Sequence, residues 1–276
     1  MATGIYRPNT SARRGMSRRD TSTLTAKRPV KSLLRAKTTA RGRNAQGKIT
    51  TRHRGGGAKR RYRMVDFKSK PEFEGTVKAI EYDPNRSAHI ALVVGEDGQM
   101  SYVLAEAKMK VGQKLTVGNE APIKKGNRLP LSAIPPGSSI HNIELMPGRG
   151  GQLARSAGAS ATLAAKDEKY AQIKLPSGEV RLVHLECYAT LGMVGNEAHQ
   201  HINWGSAGRR RRLGWRPSVR GKAMNPADHP MGGGEGLSSP GRHPRTPWGK
   251  MAIGAKTRRR KQTQKLIVRP RGKGRR

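Results

Sequence analysis

Four groups of residues have the types that chemistry needs. His184, Glu186 and Cys187 stand close enough to suggest a thiol–histidine pair. Three residues apart on an extended strand, however, His184 and Cys187 point to opposite faces, so Cys187 reads as a buried structural thiol. Asp228 directly precedes His229, and a carboxylate can raise or orient an imidazole for acid–base work. Adjacent side chains seldom pair productively, and no nucleophile or metal set accompanies them, so His229 reads as a contact or positioning group. His199 and His201 can face one way, but no Cys, Asp or further His completes a metal set, which leaves them to the surface or to phosphates. The fourth group is glycine among cations: Gly55, Gly56 and Gly57 lie between Arg52, His53, Arg54 and Lys59, Arg60, Arg61, and Gly232, Gly233 and Gly234 follow His229. Amides freed of side chains and flanked by guanidinium groups suit phosphates. The plain alternative for Gly55–Gly57 is a solvated linker; six flanking basic groups favour phosphate. No GxxxxGK[ST] spacing exists, so this is not a nucleotide P-loop.

The stretch that must position the second triple glycine is Gly221–Gly236, GKAMNPADHPMGGGEG, with Asn225 inside it. Pro226 and Pro230 and the glycines oppose a long helix, and there is no apolar alternation for a strand. A segment without apolar filling is expected to hold one shape only through contacts from outside the chain. Arg209, Arg210, Arg211, Arg212, Trp215, Arg216 and Arg220 precede it, and Trp248, Lys256, Arg258, Arg259, Arg260 and Lys261 follow. All three tryptophans (Trp204, Trp215, Trp248) fall after the central segment. Aromatics among arginines favour base stacking, worth ~1–3 kcal/mol per base; local packing is the expectation kept for Trp204. The expected partner is a polyanion.

Charge is distributed in three parts. Residues 1–64 carry 19 Lys+Arg against Asp20, residues 65–203 carry 16 against 15 acids, and residues 204–276 carry 21 against Asp228 and Glu235, within a net +38. Only 34% of the 276 residues are hydrophobic and 4% aromatic, while Gly and Pro number 34 and 17. That is too little apolar material to bury the whole chain, so two basic arms, 1–64 and 204–276, are expected to extend from a near-neutral middle. The run from Lys256 to Arg276 has no acid and is expected to order only against phosphates. A short helix over Val30–Lys37 would be too small to stand unaided. A single cysteine excludes a disulfide framework and fits a reducing compartment. No apolar run approaches the ~18 residues of a membrane span.

The middle reads as all-β. Apolar-rich runs at Thr76–Tyr82, His89–Val94, Ser101–Leu104, Lys114–Val117, Ser139–Leu145, Ala159–Ala164, Tyr170–Leu175 and Glu179–Leu185 alternate with turn signals such as Asp83-Pro84-Asn85 and Pro176-Ser177-Gly178. Asp97-Gly98 suggests a two-residue hairpin. Pro130–Gly137 is a plausible boundary, and spacing alone supports one or two small barrels. Arg86 and Arg155 each stand alone in a turn of small residues, a pose for entering a groove; a solvated loop charge is the equal alternative.

The motifs AMNPxDHPxGGGEG, AGRxRxxGxRPxVRG and GRNxxGxITxRHxGGGxKRxYR, the last containing Arg43, together resemble the large-subunit ribosomal protein L-two family of bacteria and organelles. EYDPNRSAxIALV, GQLARSAG and LPSGEVR…CYATLGxVGN match it too. The resemblance implies a mainly β fold: an OB-like barrel over 65–129, an SH3-like barrel over 130–203, and extended basic arms on either side. It implies a structural, primary rRNA-binding protein of the large subunit, supporting subunit association, tRNA placement and the peptidyl transferase region. Implied partners are large-subunit rRNA, small-subunit rRNA at the interface, nearby tRNA and other ribosomal proteins, with no membrane and no homo-oligomer. It tips Arg86 and Arg155 toward rRNA and places His229 on the loop approaching the peptidyl transferase centre. Ala58 and Met231 stand where many members have His, which weakens any mechanism needing those side chains. The opening residues have the composition of an organellar transit peptide, but Ile5-Tyr6-Arg7-Pro8 resembles the mature family start, implying no removable leader and a cytoplasmic ribosome. No protein-held cofactor is expected; magnesium bridging through rRNA stays open. The other classes are a free nucleic-acid chaperone, whose tails are usually low-complexity, and an RNA-processing enzyme, which needs a nucleophile, paired carboxylates or a metal set.

Overall fold

Alternation in the middle of the chain becomes strands because one face of each finds an apolar partner. The computed structural model describes residues 4–25, 28–68, 72–235 and 241–272. The strands are β1 (Gly4–Ile5), β2 (Ser17–Arg18), β3 (Leu34–Ala36), β4 (Arg61–Arg63), β5 (Phe73–Glu81), β6 (Ile90–Gly95), β7 (Met100–Leu104), β8 (Lys114–Val117) and β9 (Arg128–Pro130). They continue as β10 (Ser139–His141), β11 (Ile143–Glu144), β12 (Gly151–Leu153), β13 (Ala161–Lys166), β14 (Tyr170–Lys174), β15 (Val180–His184), β16 (Tyr188–Leu191) and β17 (Ile267–Arg269). Eleven form one sheet in the order β17-β15-β14-β13-β10-β16-β9-β8-β5-β6-β7, antiparallel except where β8 meets β9. The fold is mainly β, and the sheet is consistent with an OB-like barrel followed by an SH3-like one.

Two of the four hydrophobic clusters found among the described residues are the largest and fill most of this sheet. Val77, Ile80, Ala91, Val93, Ala105, Met109 and Leu115 make the first, with Phe73 and Leu24 against it. Leu129, Leu131, Ile134, Ile140, Leu163, Ile173 and Cys187 belong to the second. A buried Arg128–Glu144 pair at 3.0 Å sits beside the second cluster, and Glu144 also accepts from the amides of Gly150 and Tyr188. Those bonds satisfy the carboxylate that burial would otherwise penalise.

The chain divides into two compact units. The first holds residues 1–38, 59–206 and 263–276; the second holds 39–58 and 207–262. Within the first unit, the opening segment does not hang free. Thr25 donates its amide to Ile80 O and accepts from Ile80 N at its side-chain hydroxyl, Val30 donates its amide to the Tyr102 hydroxyl at 3.0 Å, and that hydroxyl donates to Glu81 at 2.8 Å. The expected helix over Val30–Lys37 is instead one 3-10 turn, Lys31–Leu33, followed by β3, because β4 supplies a full ladder of partners that a lone turn lacks. The basic tail is likewise partly regular: β17 pairs with the open edge of β15. Gly236, Lys273, Arg275 and Arg276, and Met1–Thr3 of the opening run, lie outside the described residues.

Asp97-Gly98 does turn β6 into β7, but only Gly98 takes a positive φ, +73°, with Gly98 N donating to Gly95 O and Gly95 N to Gln99 O. The loop is therefore longer than the two residues expected. β15 ends at His184, so Cys187 is not on its strand; its amide donates to His184 O in the following turn. No helix among the described residues is long and apolar enough to cross a membrane.

Candidate nucleic-acid interface

In the second unit, a staple joins distant parts of the sequence. The Arg54 guanidinium lies 3.7 Å from the Trp215 ring centroid, with Arg210 at 5.7 Å. Around this pair, Gly55 N donates to Gly214 O, Ala58 N to Arg212 O and Arg216 N to His53 O. Gly55, Gly56 and Gly57 all have positive φ, and a side chain on Gly57 would crowd the Gly214 backbone. Only glycine allows both. Of the expected phosphate nest, Gly55–Gly57, the Gly55 amide is thus engaged within the protein, as is that of the adjoining Ala58; those of Gly56 and Gly57 have no backbone partner among the described residues. Arg43 closes a tight turn by donating to Gly47 O, and Arg52 is exposed.

Arg209–Arg212 form most of helix α2 (Ala207–Arg212; α1 is Ser11–Arg14), a helix that sequence did not suggest. Arg220 then leads into a 3-10 turn, Gly221–Ala223. The Gly221–Glu235 loop is closed by its own backbone rather than only by outside contacts. Asn225 O accepts from the amides of Asp228 and His229, His229 O from Gly232, and Met224 O from Gly233. His229 is 8% exposed, its ring lies where a Gly221 side chain would be, and its Nδ1 accepts from Met231 N at 3.0 Å. That bond occupies one ring nitrogen in holding the loop. Gly234 is exposed, Trp248 is 72% exposed on a turn closed by Thr246 and Lys250, and Arg258, Arg259 and Arg260 are exposed.

Lys59, Arg60 and Arg61 fall in the first unit, whereas the triple glycine they follow in sequence belongs to the second. Arg60 donates to Pro84 O, and Arg61 lies in β4. Arg86 and Arg155 converge there on one ring, with guanidinium carbons 5.3 and 4.4 Å from the Phe67 centroid. They flank a groove of about 840 Å³ that Tyr62, Gln152 and Lys37 also line. Sequence reasoning missed these last three, which carry no motif of their own. Trp204 packs edge-on to His199, ring centroids 6.5 Å apart, as expected of it.

The groups that suggested catalysis are disarmed. Burial, with Glu144 adding to it, pushes the Cys187 thiol up to about 12, so no thiolate forms near neutrality. Burial and the neighbouring Arg19 lower the pKa of His199. No group of three His, Cys, Asp or Glu among the described residues is placed to hold a metal.

A β core with solvent-facing arginines, glycine-freed amides and exposed indoles defines a nucleic-acid-binding protein. Residues 30–117 match Ribosomal Proteins L2, RNA binding N-terminal domain, and residues 124–249 match Ribosomal Proteins L2, C-terminal domain. A large ribosomal subunit protein, uL2 of Paracoccus denitrificans (strain Pd 1222), is 54% identical over 272 residues, 98% of each chain. The chain belongs to the ribosomal protein L2 family and is a structural RNA-binding protein, not an enzyme.

Proposed function

We propose that this structural constituent of the large ribosomal subunit is a primary rRNA-binding protein whose second unit takes its working shape on rRNA. One observation carries the reading. Among the described residues of 39–58 and 207–262, His229 alone is buried, while these segments hold 20 Lys+Arg against Asp228 and Glu235. Charge of that density without an apolar core opposes compaction until counter-charge binds.

In this reading Arg43, Arg52, His53, Arg54, the amides of Gly56 and Gly57, Lys59, Arg60, Arg61, Arg209–Arg212, Arg216, Arg220 and Arg258–Arg260 meet phosphates. Trp215 and Trp248 stack on bases, and Asn225, His229 and Gly232–Gly234 shape the loop that approaches RNA. Arg86 and Arg155 contact rRNA from the first unit, whose two largest hydrophobic clusters support an OB-like barrel over 65–129 and an SH3-like barrel over 130–203. The family membership supports the finer roles: subunit association, contact with small-subunit rRNA, tRNA placement near the peptidyl transferase region, and ribosomal-protein neighbours in a cytoplasmic ribosome. Magnesium enters only through rRNA phosphates.

The test is the salt dependence of binding to a large-subunit rRNA transcript. Each phosphate neutralised contributes ~0.7–0.9 to the log–log slope. Replacing Arg209–Arg212 by Gln is expected to lower it by about 3–3.5; an unchanged slope and affinity would remove α2 from the interface.

A further inference from the structure

We propose that the groove between Arg86 and Arg155 seats one unstacked nucleotide, base and phosphate together, rather than gripping RNA backbone alone; this rests on the rRNA-binding reading above. At about 840 Å³ the groove lies within the size range of small-ligand sites, roughly 300–1,000 Å³. Its chemistry has two sides. On the cationic side, Arg86 Nε donates to the fully buried Asp83 at 2.6 Å, which offsets much of its charge. Arg155 is exposed and held by one bond, Nη1 to Gly151 O at 3.1 Å, so it is the freer cation. Ala154 beside it has φ +50°, an unfavourable conformation for a residue with a Cβ, and this fixes the direction in which Arg155 leaves the backbone.

On the other side, Tyr62 is 39% exposed and lines the groove with Leu175 and Pro176. The half-buried Gln152 amide also lines it and has no side-chain partner among the described residues. A phosphodiester offers acceptors alone. A ribose 2′-hydroxyl beside it can donate to the Gln152 oxygen, but RNA backbone would leave the Tyr62 ring and the apolar wall uncovered. A planar base supplies a π face for Tyr62 and an edge with both donors and acceptors for Gln152, while its phosphate meets Arg155. A nucleotide uses both the cationic and the apolar side of this lining.

The experiment compares Tyr62→Leu, Gln152→Leu and Arg155→Ala in the full chain, binding a large-subunit rRNA transcript across a salt series. Loss of stacking or of the edge contact is expected to weaken binding about tenfold with the salt slope unchanged. Loss of Arg155 is expected to flatten the slope by about 0.7. If both neutral variants bind as the parent does while Arg155→Ala still flattens the slope, the groove holds backbone only: the nucleotide proposal fails and the rRNA reading stands. If Arg155→Ala also binds unchanged, both readings of this groove fail. Chemical probing of rRNA bound to the unaltered chain guards against misfolded variants. Protection of one unpaired base that Gln152→Leu exposes supports the proposal, and protection of backbone without any such base overturns it.

Discussion

His141 shows how much the first unit depends on a neutral ring. It is fully buried in β10, its Nδ1 lies 3.0 Å from Gly192 O, and burial lowers its pKa to about 4 from 6.5, with Arg128 adding repulsion. A carbonyl only accepts, so Nδ1 carries the proton and donates. As pH falls, the unfolded chain takes up the second proton first. Stability is therefore full above about 6.5 and is lost as pH drops toward 4. The gap between the two values corresponds to roughly 3 kcal/mol. Urea denaturation at pH 7 and pH 4.5 should show His141→Gln losing less stability on acidification than the parent; equal losses would contradict this account of the ring. At the same scale, the sequence displays Gly55–Gly57 and Arg209–Arg212 openly, since their types are unusual and contiguous. Tyr62 and Gln152 are invisible in it, because nothing in a tyrosine on a short strand tells which groove it lines.

Segments far apart in sequence become one structure through the pairing of 53–58 with 212–216. Its centre is the Arg54–Trp215 stack, of a kind worth about 0.5–2 kcal/mol. In the complex with large-subunit rRNA, Trp215→Ala is expected to raise hydrogen exchange at the Gly55 and Ala58 amides, whose acceptors are Gly214 and Arg212, without changing exchange in β13 and β14. Equal exchange in both proteins would show that the backbone bonds hold without the stack. Elements also show why sequence resolves some strands and not others. Ala171 and Ile173 are buried and alternate with Gln172 and Lys174, so β14 is legible. In β9 all three residues, Arg128 included, are buried, which erases the alternation on which the reading depends. The ordering of residues 28–38 is equally hidden, since Val30 and Leu33 gain burial only by packing against Tyr102 and its neighbours, distant in sequence.

At the level of the whole molecule, two kinds of stability coexist in one chain. The first unit has hydrophobic clusters and a buried ion pair; the second has backbone bonds, one staple and a large positive charge. Composition alone carries this contrast, in the split between basic ends and a balanced middle. It does not reveal that part of each basic end, β3 at one and β17 at the other, joins the first unit. Local unfolding free energy follows buried apolar contact, so the two units should open at different cost. Amide hydrogen exchange, measured on the free chain and on its complex with large-subunit rRNA, tests this most directly. The account predicts protected amides in β5–β16 in both states, with fast exchange across 39–58 and 207–262 in the free chain that slows on the RNA; slow exchange throughout the free chain, unchanged by rRNA, would contradict it.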